Sequence, residues 1–240
     1  YYIEDGDIVI SAGTETGTNK VEQGGTLKSE NDKDTIITNQ NKDKASSNTV
    51  TIEAKDKDDK VEVTLKDVNI DTSSRSEAAV SVTGEGNTNI ELDGDNELKS
   101  GAGHAGLEHN KTDTSGELTI QDKDNNGSLE AAGGFKGAGI GSAGSHDAQV
   151  KITGGNITAT SDDWGAGIGS GSYGTGTVEI TGGEINATGG YLGAGIGGGC
   201  NGSGNVTISG GTITAAGSDG AAGIGGGYYN GATVTITGDA

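Results

Sequence analysis

The chain holds eight aromatic residues in 240. Six of them crowd around one recurring glycine-rich string. "GAGIG" begins at Gly137, Gly165 and Gly193, and "AAGIG" begins at Ala221. Just before the string, one column reads Phe135, Asp163, Tyr191, Asp219, and the next reads Lys136, Trp164, Leu192, Gly220. Just after it, a column reads Ser145, Tyr173, Asn201, Tyr229, with Tyr228 beside the last. Flat rings bury much area at little entropic cost and carry a polar tip in Tyr and Trp. Sugar rings present matching flat faces of C–H groups, so stacking is the chemistry these residues suit. Phe135, Trp164, Tyr191, Tyr173 and Tyr229 are the expected stacking residues. Asp163, Asp219 and Asn201, with Ser145 nearby, are the expected hydroxyl partners. The competing expectation is that the rings fold over corners and shield a core.

A second constellation suits a cation. "DKDNNG" sets Asp122, Asp124 and Asn126 at alternate positions before Gly127, with Ser128 and Glu130 following. Hard oxygens at positions 1, 3 and 5 and a glycine for the turn open an EF-hand-type calcium loop. The closing bidentate Glu is missing, because position 12 is Gly133. Ca2+ is therefore weighed against a solvated polar turn. "DGDNE" at 93–97 and "KDKDD" at 55–59 are weaker versions.

Catalysis finds less support. Glycoside hydrolysis needs two carboxylates about 5 to 9.5 Å apart, and Asp163 and Asp219 would stand two repeats apart. Lyases acting on uronates need cations, yet the chain has one arginine, Arg75, and only Lys136 and Lys151 among its later repeats. His146 reads as a loop residue beside Asp147. His104 and His109 flank a degenerate copy of the glycine string, "HAGLE". No catalytic residue is expected, and the chain is read as a non-enzyme.

These groups must be positioned by a repeat. Val150/Ile152, Val178/Ile180, Val206/Ile208 and Val234/Ile236 keep the same 28-residue step as the glycine string. So do Leu129/Ala131, Ile157/Ala159, Ile185/Ala187 and Ile213/Ala215. Each element alternates, with Lys151, Glu179, Thr207 and Thr235 between the apolar pairs, as half-buried strands do. Three short strands per 28 residues predict an all-β fold, a parallel β-helix in which every strand pairs with its copy about 4.8 Å away. Glycine density and β-branched residues exclude helical repeats. In "GAGIG" the alternation predicts Ala and Ile inside and a bare glycine face outside. That face would be a floor for a ligand, unless the glycines serve only positive-φ corners. "TVTIEA", "VEVTL", "AAVSV", "NIEL" and "NELKS" continue the plan more loosely upstream. The expected organisation is one domain over 1–240. Residues 1–48 form an N-terminal cap and irregular coil, 49–133 irregular coils with charged loops, and 134–240 regular coils.

Composition bounds the partners. The chain carries 35 acidic and 15 basic residues, a formal charge of −20, with 48 glycines, no proline and one cysteine. An acidic surface repels nucleic acid and anionic membranes. It also disfavours anionic polysaccharides unless a cation bridges them. The lone Cys200 excludes an internal disulfide framework. There is no initiator methionine, and both ends read as strand, so the chain is expected to be a piece of a longer protein.

"VEVTLKDVNI", "AAVSV", "NTNIELDGDNELKSG" and "GELTI", followed by repeated "GAGIG" and "VTISGGTITA", resemble repeat regions of large Firmicutes-type bacterial cell-surface proteins. Those regions are glycine-rich right-handed parallel β-helices of the pectate-lyase-like type, many described as carbohydrate-binding or adhesin-like. The resemblance spans about residues 49 to 240. It implies a right-handed helix and an extracellular, cell-surface setting. The function expected is a non-catalytic carbohydrate-binding or adhesin module. Its glycan partner would be neutral, of mucin type or a plant polysaccharide, with no membrane insertion. The first alternative is a stalk that binds nothing; the second is a polysaccharide lyase or hydrolase. Pure threonine ladders of the ice-binding kind are not expected on the Lys151 to Thr235 column.

Overall fold

The structure is a computed structural model, which describes residues 1–238. It is a right-handed parallel β-helix of about seven coils of about 28 residues. Each coil visits three sheets in chain order. Sheet 1 includes Val50–Ala54, Val80–Gly84 and Leu107–Lys111, then the two-residue strands Ile140–Gly141, Ile168–Gly169, Ile196–Gly197 and Ile224–Gly225. Sheet 2 holds Lys60–Lys66, Leu118–Gln121, Asp147–Ile152, Thr175–Ile180, Ser203–Ile208 and Ala232–Ile236. Sheet 3 holds Asn69–Asp71, Gly127–Gly133, Asn156–Ser161, Glu184–Thr188 and Thr212–Ala216. The 13-residue strand Asn87–Lys99 bends from sheet 2 into sheet 3, pairing with Lys60–Lys66 on one and with Gly127–Gly133 on the other.

The repeat puts like above like. Ile140, Ile168, Ile196 and Ile224 form one parallel file in register. Val150, Val178, Val206 and Val234 form a second, and Leu129, Ile157, Ile185 and Ile213 a third. Side chains alternate across a strand, so each file faces the interior, opening to solvent only toward the last coil, where Val234 is 40% exposed. From coil to coil Ile140, Ile168, Ile196, Ile152 and Ile180 have no exposed surface. Burying each such side chain contributes about 1.5–3 kcal/mol, which is how a chain with 30% hydrophobic residues keeps a core. The outward residues between them behave as expected. Lys151 and Glu179 pair across coils at 3.3 Å, and Thr207 is exposed.

The earlier coils are less regular. Sheet 1 steps from Leu107 to Ile140 in 33 residues rather than 28, and most of the excess lies in the loop between Ile120 and Leu129. At the first end Ile8–Ala12, Asn19–Gln23 and Thr26–Asp32 form an antiparallel meander, and Ile8–Ala12 runs parallel to Val50–Ala54. Its buried amides are satisfied: Asn19 Nδ2 donates to Glu62 O at 2.6 Å and Gln23 Nε2 to Tyr2 O at 2.6 Å. No described helix is long and apolar enough to cross a membrane.

Candidate functional site

The site is built from two corners of each coil. The chain leaves sheet 3, turns, reaches the isoleucine of sheet 1, and turns again into sheet 2. Both turning columns are left-handed. The first has φ 71° at Lys136, 65° at Trp164, 61° at Leu192 and 90° at Gly220. The second has φ 65° at Ser145, 66° at Tyr173, 56° at Asn201 and 64° at Tyr229. Between the corners the chain doubles back. The Ala138 N–H donates to the Ser142 carbonyl at 3.1 Å, and Ala166 to Ser170, Ala194 to Gly198 and Ala222 to Gly226 repeat the bond.

This doubling corrects one expectation. The glycine face is not an open floor, because the whole Gly137–Ala143 stretch is buried. A Cβ on Gly139 would stand 2.6 Å from Gly167 O and 2.7 Å from Thr160 N, so backbone already fills that space. The two corners do not border an exposed strand but join over it. The Ser172 N–H donates to Lys136 O at 3.0 Å, Cys200 to Trp164 O at 2.7 Å and Tyr228 to Leu192 O at 2.9 Å. First corner of one coil and second corner of the next therefore form one stripe.

The structure brings the predicted aromatics together on that stripe. Phe135 is 41% exposed, Tyr191 52%, Tyr173 57% and Tyr229 84%, while Trp164 and Tyr228 are half-buried. Phe135 and Trp164 pack with centroids 5.5 Å apart and planes tilted 43°. Lys136 Nζ lies 5.2 Å from the first centroid and 5.3 Å from the second. Tyr228 and Tyr229 pack at 3.9 Å. The Tyr228 phenol is pushed up first by its hydrogen bond with Tyr229 and, least, by nearby Tyr191. The rings in contact form two clusters along the stripe, Phe135 with Trp164 and Tyr228 with Tyr229.

The polar candidates divide. Asp219 is exposed at the outer corner and takes the Ser218 hydroxyl at 3.2 Å. Asp163 is half-buried, and its Oδ1 is enclosed with no donor. Asn201 Nδ2 points at Cys200 Sγ, 3.3 Å away. Cys200 is 3% exposed, and burial, then the Asp163 charge, pushes its thiol up. Such a thiol is a packed small residue rather than a nucleophile. Beside Phe135, on the sheet 3 side, lies an open groove of about 560 Å³ lined by Lys99, Phe135, Thr160, Ser161 and Asp162 among others. That volume is within the range of ligand clefts.

The expected calcium donors are not gathered. Asp122 turns inward, accepting the Asn126 N–H on Oδ1 and the Gly127 N–H on Oδ2, both at 3.1 Å. It caps its own turn, as Asp commonly does. Asn126 Nδ2 reaches Asp93, Ser128 Oγ reaches Asp95 at 3.1 Å, and Asp124 and Glu130 stand exposed. Ser128 and Glu130 lie on the strand Gly127–Gly133, which carries them away from the loop. Among the described residues no three His, Cys, Asp or Glu side chains meet as metal ligands do.

One polar group was only partly legible in the sequence, which pointed to His104 and His109 but not to Glu108 and Asn110. His104 Nδ1 lies 2.9 Å from Glu108 Oε2, which also takes the Ala105 N–H at 3.0 Å, while Asn110 Nδ2 donates to Glu108 Oε1 at 2.9 Å. His109 is buried between Val82 O and Gly116 O, and burial pushes its pKa down. Aligning "HAGLEH" with "GAGIGS" was the available signal. It sets Glu108 where Gly141 pairs and His109 where Ser142 stands.

Residues 150–172, 178–200 and 206–228 match the profile of a family described as beta helix repeat. The three segments keep the 28-residue step and cover the coils whose corners carry Trp164, Tyr191 and Tyr228. The chain is thus a parallel β-helix repeat protein. No curated protein and no solved structure matches it.

Proposed function

We propose that this β-helix is a non-catalytic glycan-binding module of a bacterial cell-surface protein, using the corner stripe as its site. One observation carries the reading: six aromatics gather on the corner stripe, and Phe135, Tyr191, Tyr173 and Tyr229 expose their rings there. Trp164, Tyr173 and Tyr229 sit at φ 64–66°. A left-handed residue other than Gly or Asn costs about 1–2 kcal/mol. Lys136, Leu192 and Ser145 share this strain at φ 61–71°, so it belongs to the corners as such, and what Tyr173 and Tyr229 add is an exposed ring. Rings of this type stack on saccharides, and the groove beside Phe135 offers a concave companion surface. The cell-surface setting rests on the resemblance of the repeats.

The test is titration of the 240-residue chain with a panel of neutral and charged oligosaccharides, against Trp164→Ala and Tyr191→Ala. Each variant should weaken binding about three- to tenfold, the worth of one ring contact, with the circular dichroism unchanged. Folded variants that bind like the parent, or a parent that binds no saccharide, would overturn the reading.

A stalk without a ligand is favoured by a different observation. Phe135 packs on Trp164 of the next coil, so part of the stripe also splices coils together. The same titration separates the two readings.

A further inference from the structure

We infer that the ligand of the stripe is a saccharide carrying protonated amino groups, an inference that rests on the glycan-binding reading. The chain shows how its corner handles an ammonium. Lys136 Nζ sits over both Phe135 and Trp164, at 5.2 and 5.3 Å from their centroids. Ring faces attract cations by their quadrupole. No carboxylate oxygen lies within 4 Å of that nitrogen among the described residues, so the two rings are its partners.

Higher on the stripe the aromatic cluster recurs without an ammonium of the chain's own, because no Lys or Arg follows Lys151. The acids remain. Tyr191 stands in the same column as Asp163 below and Asp219 above, one coil either way. The Tyr228 ring lies over Gly220, where an added Cβ would be 3.3 Å from it, and Gly220 adjoins Asp219. Asp162, Asp163 and Asp219 make no ion pair among the described residues, although Lys151 is paired with Glu179. Asp163 is half-buried with Oδ1 enclosed, so a cation on the stripe meets its charge at a distance and not at that oxygen. Aromatic faces beside unpaired carboxylates are the chemistry that holds an ammonium. A formal charge of −20 also steers a cationic chain toward the protein. Amino groups repeated along a saccharide would meet rings and carboxylates repeated along the solenoid.

The experiment compares two ligands of one backbone: a glucosamine oligomer and its N-acetylated, uncharged counterpart, titrated into the 240-residue chain at mildly acidic pH. The amine form should bind roughly five- to tenfold tighter, the combined worth of one exposed ring–cation contact and one exposed charge pair. Asp219→Asn and Asp163→Asn should each shrink that ratio. Asp219 is exposed, so its variant carries no folding risk. Equal affinities, or a preference that survives both substitutions, would overturn the inference while leaving glycan binding intact. Oligolysine binding as tightly as the amine oligomer, with the same loss in Tyr191→Ala, would also overturn it by pointing to a peptide. If neither saccharide binds, this inference falls, and the oligosaccharide panel decides the glycan reading separately.

Discussion

At the scale of single residues, the corners show side chains and backbone in conflict. Tyr173 has φ 66° and a side chain 57% exposed, so it pays left-handed strain for little packing. Asn tolerates that region because its short polar side chain bonds locally, and Asn201 occupies the equivalent place one coil on, at φ 56°. Tyr173→Asn should therefore raise stability by about 1 kcal/mol, while Tyr173→Ala, equally strained, should not. Urea unfolding of the two variants checks this, and Ala matching Asn would refute the strain argument. The serines of sheet 1 show the opposite case, where a residue type is held by its bonds. Ser142 Oγ donates to His146 O at 2.7 Å and accepts the Gly171 N–H of the next coil at 3.0 Å. Ser170 repeats both bonds with Gly174 and Gly199.

At the scale of the element, the glycine string is a device for bringing backbones together. Gly141, Gly169 and Gly197 lie at φ 134°, 133° and 127°, and a Cβ on each would stand 1.8 to 2.0 Å from the carbonyl oxygen of the residue stacked above. An added methyl is both strained and blocked. Gly169→Ala should destabilise by at least about 3 kcal/mol, since backbone cannot yield as a side chain can. Gly231→Ala is the control: nothing lies within 4 Å of its added Cβ, so its effect should stay within about 0.5 kcal/mol. Parallel denaturation curves decide it, and a tolerated Gly169→Ala would mean the coils are not stacked as described. The sequence exposed this string as a repeat, yet alternation suggested an open face. Periodicity reports which residues recur, not whether two turns of chain fold against each other. The Ala138 to Ser142 bond that closes the loop is a tertiary fact.

At the scale of the molecule, charge and stacking oppose each other. Residues 1–130 hold 28 of the 35 acidic residues. Their ion pairs, such as Lys42 with Asp67 at 3.6 Å and with Asp95 at 3.5 Å, are exposed and contribute little each. Net self-repulsion should then dominate. Salt screens it, the Debye length being about 10 Å at 0.1 M, so the thermal midpoint should rise as salt increases from about 10 to 200 mM. A midpoint that falls would mean attractive pairs outweigh repulsion. Solenoid stability is a sum over neighbouring coils, so this effect should vanish when enough exposed Asp and Glu of the early coils are replaced by Asn and Gln to balance their Lys and Arg.

The amino-acid sequence by itself determined the solenoid. A 28-residue period with alternating apolar pairs has one compact solution, in which like stacks on like, and Ile140, Ile168, Ile196 and Ile224 lie in one interior file as that requires. It also placed Phe135, Trp164, Tyr191, Tyr173 and Tyr229 at the corners. Only the tertiary structure decided how the corners meet. The hydrogen bonds from Ser172, Cys200 and Tyr228 close two borders into one stripe, and Asp122 spends its carboxylate on its own turn. Spacing along a chain sets which residues share a column. Which columns touch depends on backbone bonds between coils and on left-handed turns, and neither leaves a periodic trace.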